Sequence, residues 1–391
     1  MRNIISTVRV SFVWFLLFSI VCVTNTLTAA AQEPSQAGDQ TTGDQTTGDQ
    51  TPTQSGSGTV LDESKPIGFK NWKTRTLGGQ QFWTDVRFTG GWRVQHNTMT
   101  KHYRLIDSGD VRHAWGNRLH CDMTLDKLVA DGTVKLYRGK IVIVLHGLMR
   151  TSNAMEPMAR YLRERGGFTT LNFQYASTRN TVGDHAAALK SVVDQLGPHV
   201  TEINFLGHSL GNIVVRRYLY DTTDRATGKQ GDPRIKRMVM LGPPNQGSRI
   251  AELLKGSFLF NTIAGVSGAQ LSSGWKKLSR TLATPNFEFG IIAGGQSDGD
   301  ITNFALKGKD DFTVSVEEAK LPGARDLLVR PLLHGTMMHQ RESLVAALSF
   351  FQNGYFVSET ARTPIPVAIQ GSIQNATQPT RGSRQQQRSR R

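Results

Sequence analysis

The chain has 391 residues, a formal net charge of +15 and two cysteines. Seven arginines lie at its two ends, which leaves about +8 (15 − 7) on the rest without a basic stripe, so specific nucleic-acid binding is not expected. Cys22 lies in an N-terminal leader, so a mature chain would keep Cys121 alone, without an internal disulfide. Metal-ligand spacings such as Cys-x-x-Cys or His-Glu-x-x-His do not occur, and we expect no metal and no cofactor.

Residues 1–31 have the pattern of a secretory signal peptide. Arg2 and Arg9 provide the positive end, an apolar stretch covers 11–23, and three alanines at 29–31 form a small-residue cleavage site. A leader retained as an anchor is the alternative. We expect export to the periplasm, the cell envelope or the medium.

Residues 32–63 contain repeats of Gly-Asp-Gln-Thr-Thr and almost no apolar side chains. Such a segment cannot bury enough surface to offset its ordering entropy, so it is predicted to be a disordered linker. Residues 64–357 have the composition of a globular domain. At its start, aromatic residues among Gly-Gly turns predict short strands at the edge of a sheet.

Strands and helices alternate from residue 140 onward. The apolar run 140–145 is typical of a strand buried on both faces. Further strands are predicted at 169–173 and in the apolar run that ends at the serine motif near 208. Three more complete the sheet, at 235–241, 289–293 and 326–329. Helical patterns lie between them, at 155–165, 184–196, up to 220, and 342–351. This order predicts an α/β fold with a mostly parallel central sheet and helices on both faces.

The segment Gly207-His208-Ser209-Leu210-Gly211 lies between a strand and a helix. A serine between two glycines at this point is typical of a nucleophile elbow, in which the glycines leave room for a strained backbone. An ordinary glycine-rich turn is the alternative interpretation of these five residues.

A second polar loop, His146-Gly147-Leu148, follows the strand at 140–145. Parallel strands bring their carboxyl ends to one edge of the sheet, so this loop should lie near Ser209. The backbone N–H groups of Leu148 and Leu210 are therefore predicted to form an oxyanion hole. His146 is expected to form hydrogen bonds within its loop.

A nucleophilic serine on such a sheet needs a histidine and an acid, in the chain order serine, acid, histidine. After Ser209 the only histidines are His334 and His339. His334 lies in a loop just before the last predicted helix and is the predicted base, with His339 as the alternative.

Asp311 is the predicted acid, because it lies in a loop followed by an extended run and precedes His334 by a connecting strand. It would orient the imidazole and stabilise the imidazolium. Asp310 is the nearest alternative. Asp298 and Asp300 also remain open, since they directly follow the predicted strand 289–293.

These motifs together resemble the lipase and esterase branch of the α/β-hydrolases. The closest similarity is to a bacterial group that shares five motifs with this chain. Three of them follow strands of the sheet, at 146–152, 207–211 and 241–248, and two contain the predicted acid and histidine, at 310–316 and 334–338. Two positions depart from that group: Phe312 replaces a usual glycine, and Gly335 replaces a common threonine.

The resemblance implies a serine hydrolase that cleaves carboxylic esters through an acyl-enzyme, as an esterase or a lipase, without a cofactor. Its partners would be an ester or lipid substrate and, transiently, a lipid interface. An acyltransferase with the same triad, and a non-catalytic envelope-binding protein of the same fold, are the alternatives.

Two further segments have expected roles. The insertion at about 248–285 mixes apolar pairs with glycines and resembles a lipase lid, with a permanently packed helix pair as the alternative. Residues 358–391 are predicted to be a disordered basic tail.

Overall fold

The computed structural model describes residues 74–75, 79–247, 258–295, 311 and 313–367, with the backbone alone at 74–75 and 258–263. The predicted signal peptide (1–31), the linker (32–63) and residues 368–391 of the tail lie outside the described residues.

Eleven strands are described. They are β1 (Thr74–Arg75), β2 (Trp83–Thr89), β3 (Trp92–Asn97), β4 (Tyr103–Ile106), β5 (Val111–Gly116), β6 (Gly139–Leu145), β7 (Thr169–Phe173), β8 (Val200–His208), β9 (Ile235–Leu241), β10 (Glu288–Gly294) and β11 (Asp326–Arg330).

Eight α-helices are described. They are α1 (Arg118–Ala130), α2 (Glu156–Gly166), α3 (Val182–Asp194), α4 (Leu210–Asp221), α5 (Phe258–Leu271), α6 (Trp275–Leu278), α7 (Val316–Ala319) and α8 (Arg341–Asn353). Within the described residues, none of these helices is both long and apolar enough to cross a membrane.

The central sheet has six parallel strands in the order β11-β10-β9-β8-β6-β7. Alternate side chains of β6 enter opposite cores: Ile141 and Ile143 pack on one face, and Val142 and Val144 pack on the other. A strand buried on both faces needs apolar residues at every position, which explains the continuous run in the sequence. The predicted parallel sheet is confirmed.

Helices cover both faces of this sheet, as predicted. Helices α3 and α4 contribute to one core, and α2 and α8 to the other. Helix α3 begins with a capping box between Thr181 and Asp184, and α2 ends at Gly167 with φ 67°. These local signals end the helices where loops must return the chain to the sheet.

The aromatic-rich segment forms a sheet of its own rather than the edge of the central sheet. Its strands are antiparallel in the order β1-β5-β4-β3-β2, and α1 packs on one face, where its Leu125 joins Val94 and Leu105 of the strands in one apolar cluster. Hydrogen bonds join β2 to the chain beyond β7: Asp85 N–H donates to Gln174 O (2.9 Å), and Gln174 N–H donates to the Asp85 carboxylate (2.8 Å). The second sheet therefore adjoins the central one without continuing it.

Two other segments differ from the sequence-based expectation. The extended run predicted after Asp311 is a short helix, α7, because Ser315 and Glu318 form a capping box. Residues 358–367, assigned to the tail, lie beside β11: Leu327 N–H donates to Thr363 O (2.9 Å) and Ile365 N–H donates to Ala324 O (2.9 Å). The described fold thus continues beyond the predicted boundary at 357.

Candidate active site

Ser209 lies between β8 and α4 with φ 52° and ψ −119°. An L-residue in such a conformation costs about 1–3 kcal/mol, and the surrounding structure must enforce it. A Cβ on Gly207 would lie 2.4 Å from Asn212 Oδ1, and one on Gly211 would lie 2.7 Å from Leu145 O. Both glycines are therefore required sterically, and the turn has the backbone geometry predicted for a nucleophile elbow.

Asn212 and the neighbouring strand fix the backbone of this turn. Ser209 N–H donates to Leu241 O at the end of β9 (2.9 Å). The Asn212 side-chain amide donates to Ser209 O (3.1 Å) and to Leu241 O (3.2 Å). These contacts connect the elbow to the next strand of the sheet, and they were not foreseen from the sequence.

Asp311 and His334 form a hydrogen-bonded pair. His334 Nδ1 lies 2.7 Å from Asp311 Oδ2, and the Asp311 side chain is 1% exposed. The other carboxylate oxygen accepts from Thr313 N–H (2.9 Å) and Val314 N–H (2.6 Å). The carboxylate is thereby fixed in the orientation that holds the imidazole with Nε2 free to face a reacting group.

Glycines at two strand ends make room for this pair beside the elbow. A Cβ on Gly242, which follows β9 with φ 49°, would lie 2.9 Å from His334 Nδ1 and 3.1 Å from Asp311 Oδ2. A Cβ on Gly294, at the end of β10, would lie 2.4 Å from Asp311 Cβ. Since Ser209 is bonded to Leu241, the residue before Gly242, the strand ends bring Ser209, Asp311 and His334 into one neighbourhood.

Ser209 Oγ and His334 are not hydrogen-bonded to each other in the described part of the chain. Catalytic hydrogen bonds are often long without substrate and shorten when it binds.

The loop after β6 lies against the elbow. A Cβ on Gly147 would lie 3.2 Å from Ser209 Cβ, so the loop approaches the serine as closely as its glycine allows. Met149 has φ 58°, and its N–H donates to Ser177 Oγ (3.1 Å). No described residue accepts a hydrogen bond from the N–H of Leu148 or Leu210. The N–H groups of both predicted oxyanion donors are thus unpaired within the described residues, and the two donors directly follow Ser209 and Gly147.

His146 is fully buried, and its ring stacks on Tyr175 at 4.1 Å between centroids. Its Nδ1 lies 2.9 Å from Gly147 O, and its Nε2 accepts from Tyr175 N–H (3.4 Å). Burial lowers the pKa of His146 to about 4, so its ring is neutral near pH 7. The bond to Gly147 O lies within the loop, as expected, whereas the bond from Tyr175 comes from the segment after β7.

Of the alternative residues for the acid and the base, the structure describes His339. His339 lies at the far end of the 3₁₀ helix His334–His339 and makes no described contact with Asp311. Asp298, Asp300 and Asp310 lie outside the described residues, as does Phe312. Of the described carboxylates, Asp311 is the one paired with His334.

The described part of the insertion lies over the loop of residues 146–150, here named the oxyanion loop after its predicted oxyanion donor, Leu148. A Cβ on Gly268 of α5 would lie 3.5 Å from Leu148 Cδ2. Ser267 Oγ donates to Asn180 O (2.8 Å) and lies 3.2 Å from His185 Nε2, while Val266 N–H donates to Thr178 O (3.0 Å). The second half of α5 is therefore anchored to the loop before α3. The beginning of the insertion, 248–257, lies outside the described residues.

Across the described ranges, His, Cys, Asp and Glu side chains form no group of three or more that could hold a metal ion.

Comparison with known proteins gives one family and several structural neighbours. A family model described as "Alpha/beta hydrolase of unknown function (DUF915)" matches residues 158–305. No curated protein matches the chain in sequence.

Three solved structures illustrate the structural similarity. The lipase BlEst2 of Bacillus licheniformis, in its propeptide form, is 18% identical with a TM-score of 0.42, over 54% of this chain and 50% of its own. This chain thus matches about half the length of that lipase. A metagenomic carboxyl esterase, MGS0156, is 19% identical over 50% of this chain and 64% of its own, with a TM-score of 0.38. The esterase Pf2001 of Pyrococcus furiosus is 16% identical over 73% of this chain and 99% of its own, with a TM-score of 0.38.

The fold assignment rests on the chain itself and on the family model. Six parallel strands have helices on both faces, and a serine with a positive φ follows the strand β8 in the middle of the sheet. The matched segment 158–305 includes that strand and the serine. The chain therefore has the α/β-hydrolase fold, as the resemblance of its motifs implied.

Proposed function

We propose that this protein is an exported serine hydrolase that cleaves carboxylic ester bonds. The observation that carries the proposal is the position of Ser209 in a strained elbow beside the Asp311–His334 pair. A binding protein would have no need for either feature. The predicted signal peptide supports export.

In the proposed reaction, Ser209 Oγ attacks the ester carbonyl while His334 Nε2 takes the hydroxyl proton. Asp311, bonded to Nδ1 at 2.7 Å, keeps the imidazole in the productive tautomer and stabilises the imidazolium. The N–H groups of Leu148 and Leu210 stabilise the oxyanion. His334 then gives its proton to the leaving alcohol, and an acyl-enzyme remains.

Deacylation repeats these steps with water. His334 takes a proton from the water as it attacks the acyl carbonyl, and returns it to Ser209 Oγ as the ester bond to the enzyme breaks. Besides the ester and water, these steps use only groups of this chain.

The test is hydrolysis of p-nitrophenyl esters from acetate to palmitate by the purified chain. Ser209→Ala should reduce turnover by about 10⁴–10⁶-fold, because the nucleophile is lost. Ser273→Ala is a matched control, since Ser273 is exposed and its hydroxyl bonds only within its own helical turn. Equal turnover by wild type and Ser209→Ala would refute the proposal. Added methanol would reveal acyl transfer as methyl ester in place of free acid.

A further inference from the structure

The segment that carries His334 is held by three groups from different parts of the chain. His334 N–H donates to Asp311 O (3.0 Å). His208 Nε2 lies 2.9 Å from His334 O, and Arg150 donates from a terminal guanidinium nitrogen to Gly335 O (3.2 Å). Two consecutive peptide carbonyls of the His334 loop are therefore bound by side chains.

His208 directly precedes Ser209 at the end of β8, and its side chain is almost fully buried. A carbonyl oxygen can only accept, so His208 must carry its proton on Nε2. Its Nδ1 is buried without a hydrogen-bond partner in the described part of the chain. The ring is thus a neutral imidazole whose described hydrogen bond is the one to His334 O.

The surroundings of His208 keep it neutral. Burial lowers the pKa of His208 well below its ordinary value, and the nearby His334 and Arg150 act in the same direction. A neutral donor binds the His334 carbonyl without adding a positive charge next to the imidazolium that forms during catalysis. The rings of His208 and His334 lie 4.9 Å apart, so a charge on His208 would oppose that step strongly.

Arg150 belongs to the loop that contains Leu148. Its burial lowers the pKa of the guanidinium, and no described carboxylate forms an ion pair with it. The described hydrogen bond of the guanidinium is the one to Gly335 O. Arg150 therefore connects the oxyanion loop to the His334 loop, as His208 connects the elbow to it.

We propose that His208 is a positioning residue for His334, with Arg150 as its partner, and that together they set the base relative to both the nucleophile and the oxyanion loop. The proposal rests on the proposed function. Strand β8 ends at His208 and Ser209 follows directly, so one strand end places the nucleophile and, through the His208 side chain, the backbone of the base. Misplacing a catalytic group by about 1 Å can cost about 10²-fold in rate.

A purely space-filling role for His208 makes a different prediction from a positioning role. Space filling requires a side chain of similar volume, whereas positioning requires an N–H donor at the right reach. His208→Phe keeps an aromatic ring and removes the donor. His208→Gln is smaller but keeps a neutral N–H donor close to the position of Nε2.

The kinetic test compares these variants on p-nitrophenyl butyrate. We expect His208→Phe to lower kcat by about 10–100-fold with little change in KM, since the substrate contacts are intact. His208→Gln should restore most of the lost kcat.

Arg150→Met should lower kcat more mildly than His208→Phe does. Combining it with His208→Phe should cost less than the product of the single effects, because both hold one segment. Wild-type kcat in His208→Phe, or no recovery in His208→Gln, would overturn the proposal.

A second measurement does not depend on turnover. The proton shared by His334 Nδ1 and Asp311 should give a low-field proton resonance in the full chain, identified by its loss in Asp311→Ala. We expect this resonance in wild type and His208→Gln, and its broadening or loss in His208→Phe. If wild type hydrolyses no ester, the proposed function fails, yet an unchanged resonance in His208→Phe would still refute the positioning role, and its loss would support it.

Discussion

Gly242 lies against both the acid and the base, and it directly follows Leu241, whose carbonyl oxygen binds the elbow. Its φ of 49° already favours glycine, and its Cα faces His334 Nδ1 and Asp311 Oδ2. A single methyl group there would enter the space between the two strand ends and push the Asp311–His334 pair away from Ser209.

Gly242→Ala should therefore affect activity more than stability. We expect kcat/KM for p-nitrophenyl butyrate to fall by about 10²-fold, because the base is displaced. Gly167→Ala is the matched control: Gly167 has φ 67°, but a Cβ there would meet nothing within 4 Å. It carries the same backbone strain, about 1–2 kcal/mol, without touching the site. Similar kcat/KM losses in both variants would show that strain alone explains the effect.

Chain order and loop position restrict the candidates and lead to Ser209, Asp311 and His334, an assignment that stays a prediction. Sequence reasoning left Asp310 open as an alternative to Asp311, because the choice depends on which carboxylate reaches His334 Nδ1 in space. The roles of Gly242 and Asn212 were also missed. Their contacts join strand ends that are distant in the chain, so a local sequence pattern does not reveal them.

At the scale of elements, helix α5 is bent at Gly265, which has φ 62° and ψ −153°. This backbone region is essentially limited to glycine. A Cβ at this position would lie 1.9 Å from Thr178 O, in the loop that leads to α3. The bend allows the second half of α5 to pack against that loop over Leu148.

Gly265→Ala should destabilise the fold by about 2–4 kcal/mol, since backbone strain and a clash with a backbone oxygen act together. Gly228→Ala is a suitable control, because Gly228 has φ 68° with nothing near its Cβ position. Urea unfolding of both variants measures the difference. Equal stability of the two would mean that α5 moves away from Thr178 at no cost.

The strands of the central sheet could be predicted closely, and β7 and β9 begin and end where the sequence placed them. Burial on both faces makes such strands continuous apolar runs. The run after Asp311 was predicted wrongly. Its β-branched residues suggest a strand, but the Ser315–Glu318 capping box starts a helix, and local capping outweighs the weak propensity of a short segment.

On the scale of the whole molecule, the antiparallel sheet is joined to the part of the chain that forms the central sheet through a buried polar contact. Asp85 is fully buried and accepts from Gln95 Nε2 (2.7 Å) as well as from Gln174 N–H (2.8 Å). Gln174 in turn accepts from Ser152 N–H (2.8 Å), just beyond the oxyanion loop. The sequence showed the aromatic strands but not this arrangement, because the pairing partner of an edge strand is a tertiary property.

Three buried histidines, His146, His185 and His208, should make the whole fold sensitive to acid. Burial is the main cause that lowers each pKa: to about 4 in His146, to about 3 in His185, and well below the ordinary value in His208. In the unfolded chain the same groups bind protons near pH 6.5. Below that pH the unfolded state therefore binds more protons than the folded state, and stability falls.

We expect each of these histidines to cost about 1 kcal/mol of unfolding free energy between pH 6.5 and 5.5. Urea unfolding across this range measures the slope. His185→Gln removes one such group and should reduce the slope by about one third of the histidine contribution. A slope that is the same with and without His185 would contradict its burial as a neutral group.

The most direct test of the central claim is covalent labelling of the purified chain with a fluorophosphonate, followed by peptide mass spectrometry. We expect one adduct, on Ser209, that is absent in Ser209→Ala and forms at least about 10²-fold more slowly in His334→Ala, because the base is missing. A folded wild-type chain that takes no label, or takes it on another residue, would contradict the assignment of Ser209, Asp311 and His334 as a catalytic triad.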